Sequence, residues 1–290
     1  MGKCPSFPFS YENDPFLGQM EACMKKFQLH GAYISHPFNL TEWYGAGKFN
    51  PDDGIGIWQN KVHLECSRCI VDLKDVPLDE QDEAVSVTYG CTANFHYCIF
   101  RNTGKLILLG SGDEKARKDE EGSLVTFNNC IFEEFGRRGP EVQAGMVCLL
   151  NNCIIYNWCS PKYFTVRGFA GWAHDGGKII AKDCIFLNSN QMTLKQRIQD
   201  KVYHISQAWL DDGMKSMFNW RTYVPGWQRG LIGDIDAEHC YASDGVVIEH
   251  NHKPMSEGSM RIGIDILERK IHHELIGVEP GTKGEFYEVC

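Results

Sequence analysis

Short apolar runs, each stopped by Gly, Asn or Asp, recur through the middle of this 290-residue chain. They read AVSVTYG from residue 84, GKLILLG from 104, SLVTFNNCIF from 123, MVCLLNNCII from 146 and GKIIAKDCIF from 177. Several alternate apolar and polar residues, which is the period of a β-strand, and each closes on turn formers. A cysteine marks the same place in successive copies. RCIV, YCIF, NCIF, NCII and DCIF carry Cys69, Cys98, Cys130, Cys153 and Cys184, at steps of 29, 32, 23 and 31 residues. Repeats of this length, without helical crossovers, predict a solenoid in which each unit buries its apolar face on the next. A constant strand with variable spacing fits an all-β chain, a right-handed single-stranded parallel β-helix with loops leaving at one corner. Equivalent residues then stack at about the 4.8 Å strand spacing, and the five cysteines form an internal ladder of free thiols.

The pattern divides the chain into an N-terminal cap segment over 1–50, a β-helix core over 51–191 and a C-terminal region over 192–290 that packs on the core. In the last region Leu194, Ile198, Val202, Ile205 and Trp209 recur at helical spacing behind a Thr193–Gln196 capping box, predicting a flanking helix near 193–218. An exposed first strand needs a cover, supplied by residues 1–50 or by another chain.

Composition narrows the function. A 43% apolar content with 12% aromatics describes a globular chain. Thirteen cysteines, an odd number, argue against a disulfide framework. The start of the chain has no apolar leader pattern and no run is long enough to span a bilayer, so the expectation is a cytoplasmic or virion-associated protein without membrane contact. A net charge of −9 excludes nucleic acid as a natural partner. The Cys66–Cys69 pair lacks a second ligand pair, which favours packing over zinc. The acidic stretch GSGDEKARKDEEG, from residue 110, reads as a solvated loop, and His174 in GWAHDGG as a hydrogen-bonding or stacking turn residue.

FGRRGPEVQAG, residues 135–145, sets two arginines beside a proline and a glutamate. It is followed by NNCIIYNW, and preceded by NTGKLILLGSGD, DEAVSV and DDGIGI. In that order, between about residues 52 and 191, these segments resemble the pectate lyases of polysaccharide lyase family 1. The resemblance implies cleavage of a polygalacturonate-like acidic polysaccharide by β-elimination. It implies Arg138 as the catalytic base, Lys105 as a catalytic and substrate-binding lysine, and Arg137 and Gln143 as substrate contacts. Asp53 and Asp82 take the places of calcium ligands, with Glu83 as a further candidate.

The chemistry is coherent. Elimination removes the proton beside a uronate carboxylate, whose charge must first be neutralised. Calcium on carboxylate oxygens does this as a Lewis acid, with the lysine ammonium assisting. An arginine base requires crowding by neighbouring cations, here calcium, Lys105 and Arg137. Two positions depart from the family. Gln143 stands where it has a second arginine, and Ser86 stands where it has a second carboxylate on the calcium strand. Strand alternation puts Glu83 on the face opposite Asp82. Two alternatives follow: Arg137 and Arg138 pair with Glu133, Glu134 or Glu141 at the surface, or the chain is a non-catalytic glycan-binding component of a phage tail or virion. Homo-oligomer or virion assembly accompanies the second.

Overall fold

The computed structural model describes residues 25–35, 38–39, 53–57, 62–78, 80–112, 117–160, 169–187, 231–242 and 278–289. These residues are strand-rich, with one short helical turn, α1, Arg117–Glu120. The strands come in successive repeats. The first holds β1 (Lys25–His30), β2 (Tyr33–Ile34), β3 (Phe38–Asn39) and β4 (Ile55–Ile57); the second holds β5 (Val62–Ser67), β6 (Ile70–Asp72) and β7 (Glu83–Val87). The third holds β8 (Thr92–His96) and the long β9 (Ile99–Leu109); the fourth holds β10 (Leu124–Asn128), β11 (Ile131–Arg137) and β12 (Glu141–Val142). β13 (Val147–Asn151), β14 (Ile154–Trp158) and β15 (Gly171–Ala173) make the fifth, and β16 (Lys178–Lys182), β17 (Ile185–Leu187) and β18 (Leu231–Ile232) the sixth. β19 (Ile235–Glu238) and β20 (Tyr241–Ala242) follow, and β21 (Glu285–Val289) ends the described chain.

Apart from β3, which pairs in parallel with β4 of its own repeat, the strands of these faces pair in parallel with their equivalents in the next repeat. One face stacks β1, β5, β8, β10, β13, β16 and β19. A second stacks β2, β6, β9, β11, β14, β17 and β20. A third stacks β3, β4, β7, the latter half of β9, β12, β15 and β18. The exception to parallel pairing is β21, which lies antiparallel on β1 and covers the edge of the first repeat. The chain's own C-terminal strand therefore supplies a cover for that edge. Parallel pairing already begins at Lys25, inside the segment read as a cap. The predicted helix near 193–218 lies outside the described residues.

The corner between the first and second faces explains the cysteine repeat. Arg68, Tyr97, Asn129, Asn152, Asp183 and His239 all have left-handed φ values of 51–55°. Each precedes a buried cysteine, namely Cys69, Cys98, Cys130, Cys153, Cys184 and Cys240. Asn and Asp tolerate this conformation best, which accounts for the polar residue before the cysteine. Each thiol donates to the carbonyl two residues earlier, at 3.2–3.5 Å, so the small side chain fills the tight bend and satisfies a backbone oxygen. Ile70, Ile99, Ile131, Ile154 and Ile185 then stand in continuous register. All these cysteines are free, as expected, and Cys66 is buried with its Sγ 3.9 Å from that of Cys98. The sixth cysteine of the ladder, Cys240, lies outside the sequence pattern because Tyr241 replaces the isoleucine. In the first repeat Gly31 and Ala32 take the bend and cysteine positions, and the Ala32 N–H points at Cys69 Sγ, 3.5 Å away. Inside, Phe95 and Phe127 stack at 4.8 Å, with Phe100 and Phe132 edge-on beside them.

Candidate active site

The third face and its corner with the second carry the charged residues. Register places Glu83, Lys105 and Arg137 side by side on β7, β9 and β11. Further along the same face Leu108, Glu141 and Trp172 are in register on β9, β12 and β15. Their neighbours Leu109, Val142 and Ala173 point into the core.

Local chemistry fixes each approach. The loop before β7 is tied by Gln81, whose amide donates to the Leu73 and Val76 carbonyls and accepts from the Gly104 N–H. This sets Asp82 over the start of β7. Asp53 accepts from the Glu83 N–H at 3.0 Å, joining β4 to β7 from behind. Gly54 next to it has no room for a side chain, since a Cβ would lie 2.6 Å from the Ala84 carbonyl oxygen. Arg138 closes β11 in a left-handed conformation, φ 62°, and its carbonyl accepts from the Ile107 N–H. Gly139 follows because a Cβ there would lie 2.5 Å from the Phe135 ring.

The side chains of Asp53, Asp82, Glu83, Lys105 and Arg138 lie close together. Lys105 is ion-paired with Asp82 and lies 4.0 Å from Glu83. Arg138 reaches back across two repeats to an ion pair with Glu83, and its Nε sits 2.6 Å from Glu141 Oε2. Carboxylate oxygens of Asp53, Asp82 and Glu83 lie within 4.8 Å of one another. Exposure is graded. The Glu83 side chain is 3% exposed, Arg138 18%, Asp82 27% and Lys105 31%, so buried acids form the floor and Asp82 with Lys105 the mouth.

Three placements differ from the sequence reading. Glu83 meets the same lysine as Asp82, because Asp82 precedes the strand and the two are not related by its pleat. Gln143 donates its amide to the Gly110 carbonyl at 2.9 Å, holding the corner of the face, and no contact with Arg138 brings it into the cluster. Ser86 is buried in register with Leu108, away from the acids. Of the surface pairs considered for the arginines, Arg138–Glu141 is made. Glu133 bonds Arg101 and Tyr156, and Glu134 bonds Asn157 and Ser160.

Sequence reasoning missed how far the site extends. His174 Nε2 lies 3.1 Å from Glu141 Oε1, and its ring packs on Trp172 with centroids 4.0 Å apart. Burial pushes the Glu141 carboxyl up, but the His174 hydrogen bond and the charges of Arg138 and Arg137 outweigh it and hold the group below the ordinary carboxylate range. The acidic loop is not wholly solvated either. Glu120 is buried and accepts from the Tyr89 and Ser111 N–H groups at 2.7 and 2.8 Å.

No protein-family model matches the chain. Among solved structures it is similar to the thermostable pectate lyase PL 47, with 14% identity and a TM-score of 0.43. The match covers 82% of this chain and 50% of that one, so the chain spans half the length of that protein. Among the described residues no helix is long and apolar enough to cross a membrane.

Proposed function

We propose that the three strand faces wind as a right-handed parallel β-helix, and that the cluster on the third face is the active site of a polyuronate lyase. The observation that carries this reading is the meeting of Lys105 and Arg138 with the oxygens of Asp53, Asp82 and Glu83. An all-oxygen set of closely spaced carboxylates fits a hard divalent cation. Asp53, Asp82 and Glu83 are the residues that would hold calcium, which would supply neutralisation of a substrate carboxylate.

The residues of the chain perform the rest. Lys105, partly exposed at the mouth, binds the uronate carboxylate and lowers the cost of charge building up beside it. Arg138 takes the proton from the carbon next to that carboxylate. The electron pair forms a double bond to the adjacent ring carbon, and the glycosidic oxygen leaves there and picks up a proton from solvent. For this the side chain must come away from Glu83 and Glu141, which now engage it as the guanidinium. It must also first lose its own proton to solvent, since only the neutral guanidine has a lone pair to accept the substrate's proton.

That clamp also favours a second reading, in which Arg138 is a cross-link and the chain a non-catalytic glycan-binding β-helix of a phage tail or virion. The discriminating experiment is ultraviolet detection of unsaturated product from polygalacturonate and from alginate, with calcium and with chelator. The lyase reading predicts product that requires Lys105 and Arg138. Absence of product from both polymers in both conditions overturns it in favour of the binding protein.

A further inference from the structure

The site does not stop at its charges. Trp172 lies on β15 with its side chain outward and half-buried, between Gly171 and the core residue Ala173. Phe169 meets it edge-on at 5.2 Å and the His174 ring packs against it at 4.0 Å. The indole is therefore held in a fixed orientation on the outside of the fold, where it fills no core space. Large aromatic groups fixed this way are suited to a ligand with an apolar face. The C–H face of a pyranose ring is such a surface, and its rim of hydroxyls needs polar partners nearby.

Those partners are present. Glu141 is in register with Trp172, one strand away, or about 4.8 Å. It is bonded to His174 and ion-paired with Arg138, and only 8% of its side chain is exposed, so a hydroxyl reaches it at its rim, where a carboxylate oxygen keeps a lone pair to accept. Its charge decides the kind of sugar. A carboxylate kept ionised beside the indole accepts from sugar hydroxyls and offers no donor to a second carboxylate. Lys105, by contrast, sits on the repeat before it, and Arg138, three residues earlier in the same repeat, reaches back towards Glu83.

We propose that Trp172, His174 and Glu141 form a subsite for an uncharged sugar ring beside the charged centre. The preferred ligand is then a glycan in which a neutral sugar adjoins a uronate, rather than a uniform polyuronate. The inference rests on the uronate-binding reading of Lys105 and Arg138, and it goes further by naming the neighbouring unit.

The test is calorimetric titration of three oligosaccharides of equal length: all galacturonate, alternating galacturonate and rhamnose, and all galactose. The wild type binds the alternating one tightest. Trp172→Ala weakens that binding about tenfold and barely changes the all-galacturonate affinity, while Trp172→Phe recovers most of the loss. Melting temperatures establish that each variant is folded, and Trp172→Phe carries the test if Trp172→Ala does not fold. A wild type that prefers all galacturonate overturns the subsite, as does an equal loss for all three ligands or no loss in Trp172→Ala. No binding of any ligand overturns it too. Trp172-dependent binding of the alternating ligand without any unsaturated product keeps the subsite and removes the lyase.

Discussion

Two corners of this molecule obey different rules. At the corner between the first and second faces the repeats after the first carry the same solution, a left-handed residue and then a buried cysteine, from Arg68–Cys69 to His239–Cys240. At the corner and face that carry the charges no repeat resembles the next. Glu83, Lys105 and Arg137 follow one another in one register, and Leu108, Glu141 and Trp172 in another. A repeating fold needs the same residue wherever it needs the same geometry. Positions that repeat are set by the bend and the core, while positions that change from rung to rung answer to something outside the fold. The difference separates scaffold from site without any appeal to relatives.

That contrast is open to attack from both sides. The largest effect belongs to the scaffold. Phe127→Ala removes the ring between Phe95, Phe100 and Phe132, and urea unfolding should show a loss of about 3–5 kcal/mol. Next is Arg101→Met, behind the second face, where one guanidinium bridges the buried Asp72 and Glu133. Leaving two carboxylates without it costs about 3 kcal/mol by the same measurement. A neutral outcome there would mean that this buried network, too, is dispensable to the scaffold.

Acid should read the site itself. Because the folded Glu141 carboxyl sits below its ordinary value, its contribution is present above about pH 4.3 and is lost as pH falls through the lower folded value. The melting-temperature gap between wild type and Glu141→Gln should be widest near neutrality and close below about pH 4. A gap that is constant with pH removes Glu141 from the charge balance of the site. The smallest effect returns to the ladder. Cys153→Ala deletes one of six equivalent thiols and should cost about 1 kcal/mol, with no change in glycan binding.

The sequence made the repeated corner legible because its residue types recur beside the same apolar pair. Cys240 was missed where Tyr241 broke the pair, and the first repeat where Gly31 and Ala32 replaced its usual residues. Lys105, Arg138, Asp53, Asp82 and Glu83 were named through resemblance, and their meeting depends on strand register that one-dimensional patterns do not carry. Glu141 was joined to the arginines only as a surface pair, and His174 and Trp172 not at all, since 33 residues separate the glutamate from its histidine and only the stacking of β12 on β15 brings them together. Glu120 lay in a run of charges that looked solvated, yet two backbone N–H groups inside the fold require its carboxylate. Alternation failed for Glu83 because its rule begins only where the strand does.

The central claim is that the charged face is a catalytic site and not a cross-link, and Arg138→Lys tests it most directly. Lysine keeps the charge but loses the planar fork that spans Glu83 and Glu141. Unsaturated product from polygalacturonate should be followed for both proteins together with their melting temperatures. The account predicts product from the wild type, a loss of about 10² to 10⁴ in rate in the variant, and a folded variant that still binds the glycan. A wild type that yields no product, with Arg138→Lys changing only the melting temperature, contradicts it.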